Sequence, residues 1–257
     1  KKVIYHMHAS TFHVFLDGSN RLALFFVSFM MKNVDLLVVL SKWWKNYFND
    51  KFNINHIEII NNITPEINLP KKEFNSIPHV LFLGRIDDRK GIFDVVRSVI
   101  RNQAFFKNKI KIIVGGDGRV LDLKKMIQEH DIADLIEFVG WVSGEQKMEL
   151  LQRSDILILT SFNEGLPISL LEGLSCKMPL ISTNVGGIPE ILYHKKNGYV
   201  VEPGNEIQIS EALRYYVDNK NLINAHGEES YKIANRYFPE TVFNQLEVIY
   251  NKLLKDK

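Results

Sequence analysis

Two carboxylates, Glu164 and Glu172, close the ends of the stretch EGLPISLLE, with a glycine, a proline and an apolar run between them. Ionised carboxylates only accept hydrogen bonds, so they suit ligands rich in hydroxyls, such as sugars and ribose. A loop acid and an unrelated acid on a helix surface would leave the same letters, and the flanking sequence has to separate the two readings. It adds further chemistry. GRIDDRKG (84–91) offers Gly84, Arg85, Lys90 and Gly91, and GGDG (115–118) offers three glycines around Asp117. SFNEGLP (161–167) and NVGGIPE (184–190) add glycines and acids. Arginine, lysine and the amides of helix N-termini hold phosphates. Glycines, two cations and carboxylates together suit a nucleoside diphosphate that carries a sugar.

These residues follow short β-branched runs. HVLFLG (79–84), IKIIVGG (110–116), IEFVGW (136–141), DILILTS (155–161) and PLISTN (179–184) are near-continuous apolar stretches. Five such runs are expected of parallel strands buried on both faces. In GIFDVVRSVIRNQAFF, Ile92, Val95, Val96, Val99 and Ile100 fall on one helical face. MIQEH, EQKMELLQR and ISLLEGL supply helix-like pieces to later gaps. The alternation predicts an α/β fold with an open, doubly wound parallel sheet. In such sheets, ligands bind beyond the carboxyl ends of the strands. Pro167 is placed to start the helix that carries Glu172 in its second turn.

Residues 1–60 read as the end of another such unit, with KVIYHMHAS and DLLVVLS as strands and a helix over residues 21–32. Residues 60–74 hold proline, asparagine and charge without a period, which is the pattern of a linker. The expected organisation is a partial N-terminal α/β unit at 1–62 and a linker at 63–76. A Rossmann-like unit follows at 77–236, then a C-terminal helix at 237–257 that returns toward the first unit. LALFFVSFMM (22–31) is about half the ~20 residues of a membrane span. It is read as a buried helix; the rival, a membrane-surface helix, has only Arg21 and Lys32 as flanking cations.

Composition narrows the classes. Apolar residues make up 46% and charged residues 24% of the chain, as in soluble globular proteins. With 32 basic and 30 acidic residues the net charge is +2, which gives no general drive toward nucleic acid. The single cysteine, Cys176, cannot form an internal disulfide framework and is read as a small buried residue in a reducing compartment. The opening KKVIYHMHAS resembles a secretory leader only in its lysines. His6 and His8 alternate on a strand, as in metallohydrolases, but no later strand end offers further ligands. GGDG has Leu121 where a dinucleotide fingerprint would place its third glycine, which counts against a nicotinamide enzyme. Neither a nucleophile elbow nor a P-loop occurs. Glu190 is read as a helix cap.

EGLPISLLE has the E-x7-E spacing of retaining glycosyltransferases of the GT-B fold, specifically the family 4 (glycosyltransferases group 1) type. GRIDDRKG resembles that family's phosphate loop, and VGGDGRV, FVGWV, NVGGIPEIL and NGYVVEPGN follow in the family's order. The likeness is strong over about residues 75–205 and weaker over YHMHAS and VDLLVVLSKWWKNYF. It implies a GT-B-like fold and transfer of a sugar, with retention, from a UDP- or GDP-sugar to a polysaccharide or lipid-linked acceptor. It implies that Arg85 and Lys90 bind the diphosphate, that Glu164 contacts the donor sugar and that His8 reaches it from the first unit. Ala9 stands where the family often has glycine. Glu172 would bind ribose, with Gly84, Gly116, Val142, Gly165 and Leu166 lining the donor. No cofactor or metal is implied, since cations and helix dipoles take the metal's place and no Asp-x-Asp occurs. The expected location is cytoplasmic, with peripheral contact to the inner face of the membrane kept open. About 60 residues cannot build a whole first GT-B domain. The alternative is therefore a nucleotide-sugar-binding fragment or subunit, inactive without missing N-terminal strands or a partner chain.

Overall fold

The computed structural model describes residues 2–67 and 75–255. The first unit runs β1 (Ile4–His6), α1 (Phe12–Asp17), α2 (Arg21–Lys32), β2 (Leu36–Val39), α3 (Lys42–Phe52) and β3 (Ile57–Ile59). Its three strands are parallel in the order β1-β2-β3. Asn20 and Ser41 cap α2 and α3, their side chains accepting from Ala23 N–H and Trp44 N–H. Helices α1, α2 and α3 pack on the sheet, burying Leu16, Met31, Trp44 and Phe48 against Leu37 and Val39.

The second unit runs β4 (His79–Leu83), α4 (Ile92–Arg101), α5 (Gln103–Phe106), β5 (Lys111–Gly115), α6 (Val120–Glu129), β6 (Ile136–Gly140) and α7 (Gly144–Arg153). It continues with β7 (Ile156–Leu159), α8 (Ile168–Ser175), β8 (Leu180–Thr183), β9 (Gly198–Val201), α9 (Glu206–Asp218) and α10 (Asn221–Ala234). The six strands are parallel in the order β6-β5-β4-β7-β8-β9. Strands β4, β7 and β8 carry Val80 to Phe82, Ile156 to Leu159 and Leu180 to Ile181 fully buried, as near-continuous apolar runs require when helices cover both faces. The long helix α11 (Pro239–Lys255) leaves this unit and crosses to the first. There Val242, Leu246, Ile249 and Leu253 pack on Ile4, Leu36, Val38 and Ile60, and His6 Nε2 and Tyr250 Oη are hydrogen-bonded at 2.9 Å.

Three expectations need correction. Among the described residues the second sheet has six strands, not five, because β9 was visible only as part of a motif. The first unit holds a third strand, β3, and helices α1 and α3, which the reading left out. The helix at 22–31 is not buried all round. Leu24, Val27 and Met31 face the core, whereas Leu22, Phe25, Phe26, Phe29 and Met30 are exposed, because a helix lying on a sheet can have only one stripe covered. Among the described residues no helix is long and apolar enough to cross a membrane. Residues 60–67 carry no helix or strand, yet Ile60, Thr64 and Ile67 are buried, so this connection lies on the protein rather than free of it. The rest of the linker reading, at 68–74, lies outside the described residues.

Candidate functional site

The chain winds outward from β4 through β5 to β6, then returns to β7 on the other side of β4. Open α/β sheets bind ligands in the crevice at such a reversal, and both of its sides carry charge here. After β4, the Asp87 carboxylate accepts from Lys90 N–H at 2.9 Å and fixes the turn Asp88–Lys90, which ends on Gly91 at φ +74°. That turn sends Lys90 toward β7. Lys90 Nζ meets Glu164 Oε1 at 2.5 Å, and Ser161 Oγ donates to the same oxygen at 2.7 Å. The Glu164 side chain is only 5% exposed and that of Lys90 17%. A carboxylate so far from water needs such a partner. Arg85 follows Gly84 and projects to solvent, 67% exposed, with Asp87 Oδ2 3.8 Å from its Nε.

A second cluster lies toward β5 and β6. Leu83, Gly84, Gly115, Gly116, Trp141, Val142, Ser143, Lys147, Ile168, Ser169 and Glu172 line a cavity of about 280 Å³. Gly116 has φ +155°, and a Cβ there would stand 1.8 Å from the Gly84 carbonyl oxygen, so the ends of β4 and β5 meet this closely only with glycine. Glu172 is buried on α8, and Lys147 Nζ from α7 pairs with its Oε1 at 2.6 Å.

The loop joining the clusters is pinned from several sides. Gly187 N–H donates to the Gly165 carbonyl at 2.7 Å, and Asn62 Nδ2 donates to the Leu166 carbonyl at 2.7 Å. Gly186 lies at φ +55° with no room for a Cβ, which would meet Glu164 O at 1.8 Å. A Cβ on Gly165 would be 3.5 Å from the Ala9 carbonyl, so the chain beyond β1 reaches this loop. His8 stacks on His6, ring centroids 6.2 Å apart. Burial, with the neighbouring His8 ring, holds His6 below the ordinary imidazole pKa. Glu190 accepts from Lys42 N–H at 2.7 Å, and so caps α3 of the first unit rather than a helix of its own. Burial raises its carboxyl pKa despite those amide bonds. Among the described residues no group of three or more His, Cys, Asp or Glu side chains is arranged to hold a metal ion.

The predicted residues thus fall into two clusters on one sheet edge rather than a single hollow. Gly84, Gly116, Val142 and Glu172 share the cavity; Lys90 and Glu164 form an ion pair; Gly165 and Leu166 connect them; Arg85 stands at the rim. Sequence reasoning missed Lys147, Ser161 and Asn62. Lys147 lies in EQKMELLQR, where a charged residue reads as a solvated helix face, and nothing local marks it as the partner of Glu172.

Residues 65–233 match the family model described as glycosyl transferases group 1. The chain belongs to this family. An uncharacterized glycosyltransferase of Methanocaldococcus jannaschii is 25% identical over 246 residues, covering 93% of this chain and 67% of its own length. The N-acetyl-alpha-D-glucosaminyl L-malate synthase of Bacillus anthracis is 30% identical over 148 residues, covering 57% of this chain and 38% of that enzyme. The chain therefore spans only part of the glycosyltransferases it matches. Among solved structures, sucrose-phosphate synthase of Thermosynechococcus elongatus superposes with a TM-score of 0.83 at 17% identity, over 99% of this chain and 68% of that one. At such identity the likeness gives the fold, and the fold is GT-B-like.

Proposed function

We propose that this group 1 glycosyltransferase transfers a sugar from a nucleoside-diphosphate sugar to an acceptor, with retention of configuration at the transferred carbon. The observation that carries the reading is the gathering of Gly84, Gly116, Val142 and Glu172, from four separate segments, around one cavity beside the Lys90–Glu164 pair. The cavity takes the nucleoside, and Glu172 accepts from the ribose hydroxyls. Lys90 and Arg85 take the diphosphate, and Glu164 accepts from hydroxyls of the donor sugar. His8 approaches that sugar from the first unit.

In the step itself the bond from the sugar carbon to the phosphate oxygen breaks, and a bond to the acceptor oxygen forms on the same face. The acceptor's proton passes to the departing phosphate, so no side-chain nucleophile is needed. Negative charge grows on the diphosphate, and cations already aimed at it stabilise that charge without reorganising. The reading assigns no metal to this step, because Arg85 and Lys90 supply the positive charge. Polysaccharide or lipid-linked sugar is the acceptor class it favours. It places the reaction in the cytoplasm, with peripheral contact to the inner membrane face where the acceptor is a lipid.

The test is incubation with labelled UDP- and GDP-sugars, scoring release of nucleoside diphosphate and transfer of label. Turnover of one donor class is expected; binding of none would contradict the reading. A second reading rests on the first sheet, which has three parallel strands among the described residues. Here the chain binds the donor but turns it over only with further N-terminal strands or a partner chain. Binding without turnover, restored by a longer polypeptide, would favour it.

A further inference from the structure

His13 lies on α1, in the first unit, and its Nε2–H donates to Asn163 Oδ1 of the second unit at 3.0 Å. Asn163 immediately precedes Glu164. The Asn163 carbonyl accepts from Arg89 Nη1 at 3.3 Å, and Arg89 immediately precedes Lys90. Two adjacent residues of the β4 turn therefore grip two adjacent residues of the β7 loop, and His13 holds the same loop from the opposite unit. The imidazole is boxed by rings. Trp43, Trp44 and Tyr47 present edge contacts with centroids 5.1, 5.6 and 6.2 Å away. Its Nδ1 is buried without a hydrogen-bond partner among the described residues, so Asn163 is the polar anchor of the ring.

We propose that His13 is a positioning residue: from the first unit it sets the loop that carries Glu164, so that the carboxylate meets the donor sugar only when the two units are seated together. The proposal rests on the donor-binding reading above. It goes beyond that reading by assigning sugar engagement to a contact between the units. A hydrogen bond that merely held the units together would change stability and would affect all ligands alike. A positioning contact separates the sugar from the nucleotide, because Glu172 and its cavity belong wholly to the second unit.

The experiment is calorimetric titration of UDP, GDP, UDP-glucose, UDP-N-acetylglucosamine and GDP-mannose into the wild type, His13→Ala, His13→Gln and Asn163→Ala. Nucleoside diphosphate affinity should stay within about twofold of wild type, since losing one neutral hydrogen bond elsewhere shifts it little. The extra affinity of a nucleotide sugar over its nucleoside diphosphate should fall about five- to tenfold in both alanine variants. His13→Gln, whose amide can still donate to Asn163, should restore it. Asn163→Asp keeps an acceptor for His13, should retain the increment, and serves as the folded comparison if an alanine variant melts early. Full retention of the increment in His13→Ala, equal losses for nucleotide and nucleotide sugar, or no increment in the wild type would overturn the positioning role. A wild type with no affinity for either nucleoside diphosphate would overturn the donor-binding reading itself.

Discussion

Each acid of EGLPISLLE already has a cationic partner: Lys90 for Glu164 and Lys147 for Glu172. A ligand entering this edge therefore meets compensated charge and must replace or join those pairs. On the function proposed above, the replacement for Glu172 is a pair of ribose hydroxyls, which have no counterpart in bare pyrophosphate. Glu172→Ala should weaken nucleoside diphosphate binding about tenfold, the scale of one hydrogen bond to a charged group. It should leave inorganic pyrophosphate binding as it was. Calorimetry with both ligands checks this, and equal losses would remove the ribose role. The two acids were legible from spacing and from their place after a strand run. Their partners were not, because Lys147 is 25 residues from Glu172 and Lys90 is 74 from Glu164. Only folding brings such pairs together.

The elements that present these residues were legible where periodicity is strong, as in α4, whose Ile92, Val95, Val96 and Val99 are all fully buried. Some short elements escaped. β3 (IEI) carries a charge and β9 (GYVV) opens on glycine, so neither shows the near-continuous apolar run that marked the similarly short β7 and β8. The glycines of NVGGIPE were noticed as a motif, but their task appears only in space. Gly186 lies at positive φ, and a Cβ there would stand 1.8 Å from the Glu164 carbonyl oxygen, so a side chain at this position would have to displace the Glu164 backbone. Gly186→Ala should cost roughly 2–3 kcal/mol from left-handed strain and the clash together. Because Glu164 would be displaced, it should also lower sugar transfer more than nucleoside diphosphate binding. Thermal melting and a donor-hydrolysis assay check both parts.

At the scale of the whole molecule, α11 ties the units by leaving one and packing on the other, and Glu190 caps α3 from across the boundary. The amphipathic pattern of the last helix and its return toward the first unit were readable; the particular residues of β1 and β2 that it covers were not. Leu246→Ala with Ile249→Ala should loosen the first unit by roughly 2–4 kcal/mol, seen as a separate early transition in a thermal melt. A single transition at the wild-type temperature would deny α11 that role. The central claim is that one edge of the second sheet grips a nucleoside diphosphate by its phosphates. The most direct test is titration of UDP, GDP, uridine and guanosine into wild type and into Arg85→Ala with Lys90→Ala. The account predicts that the double variant loses at least about tenfold in affinity for the diphosphate, with the nucleoside little changed. Equal affinity of variant and wild type for the diphosphate, or equal losses for diphosphate and nucleoside, would contradict it.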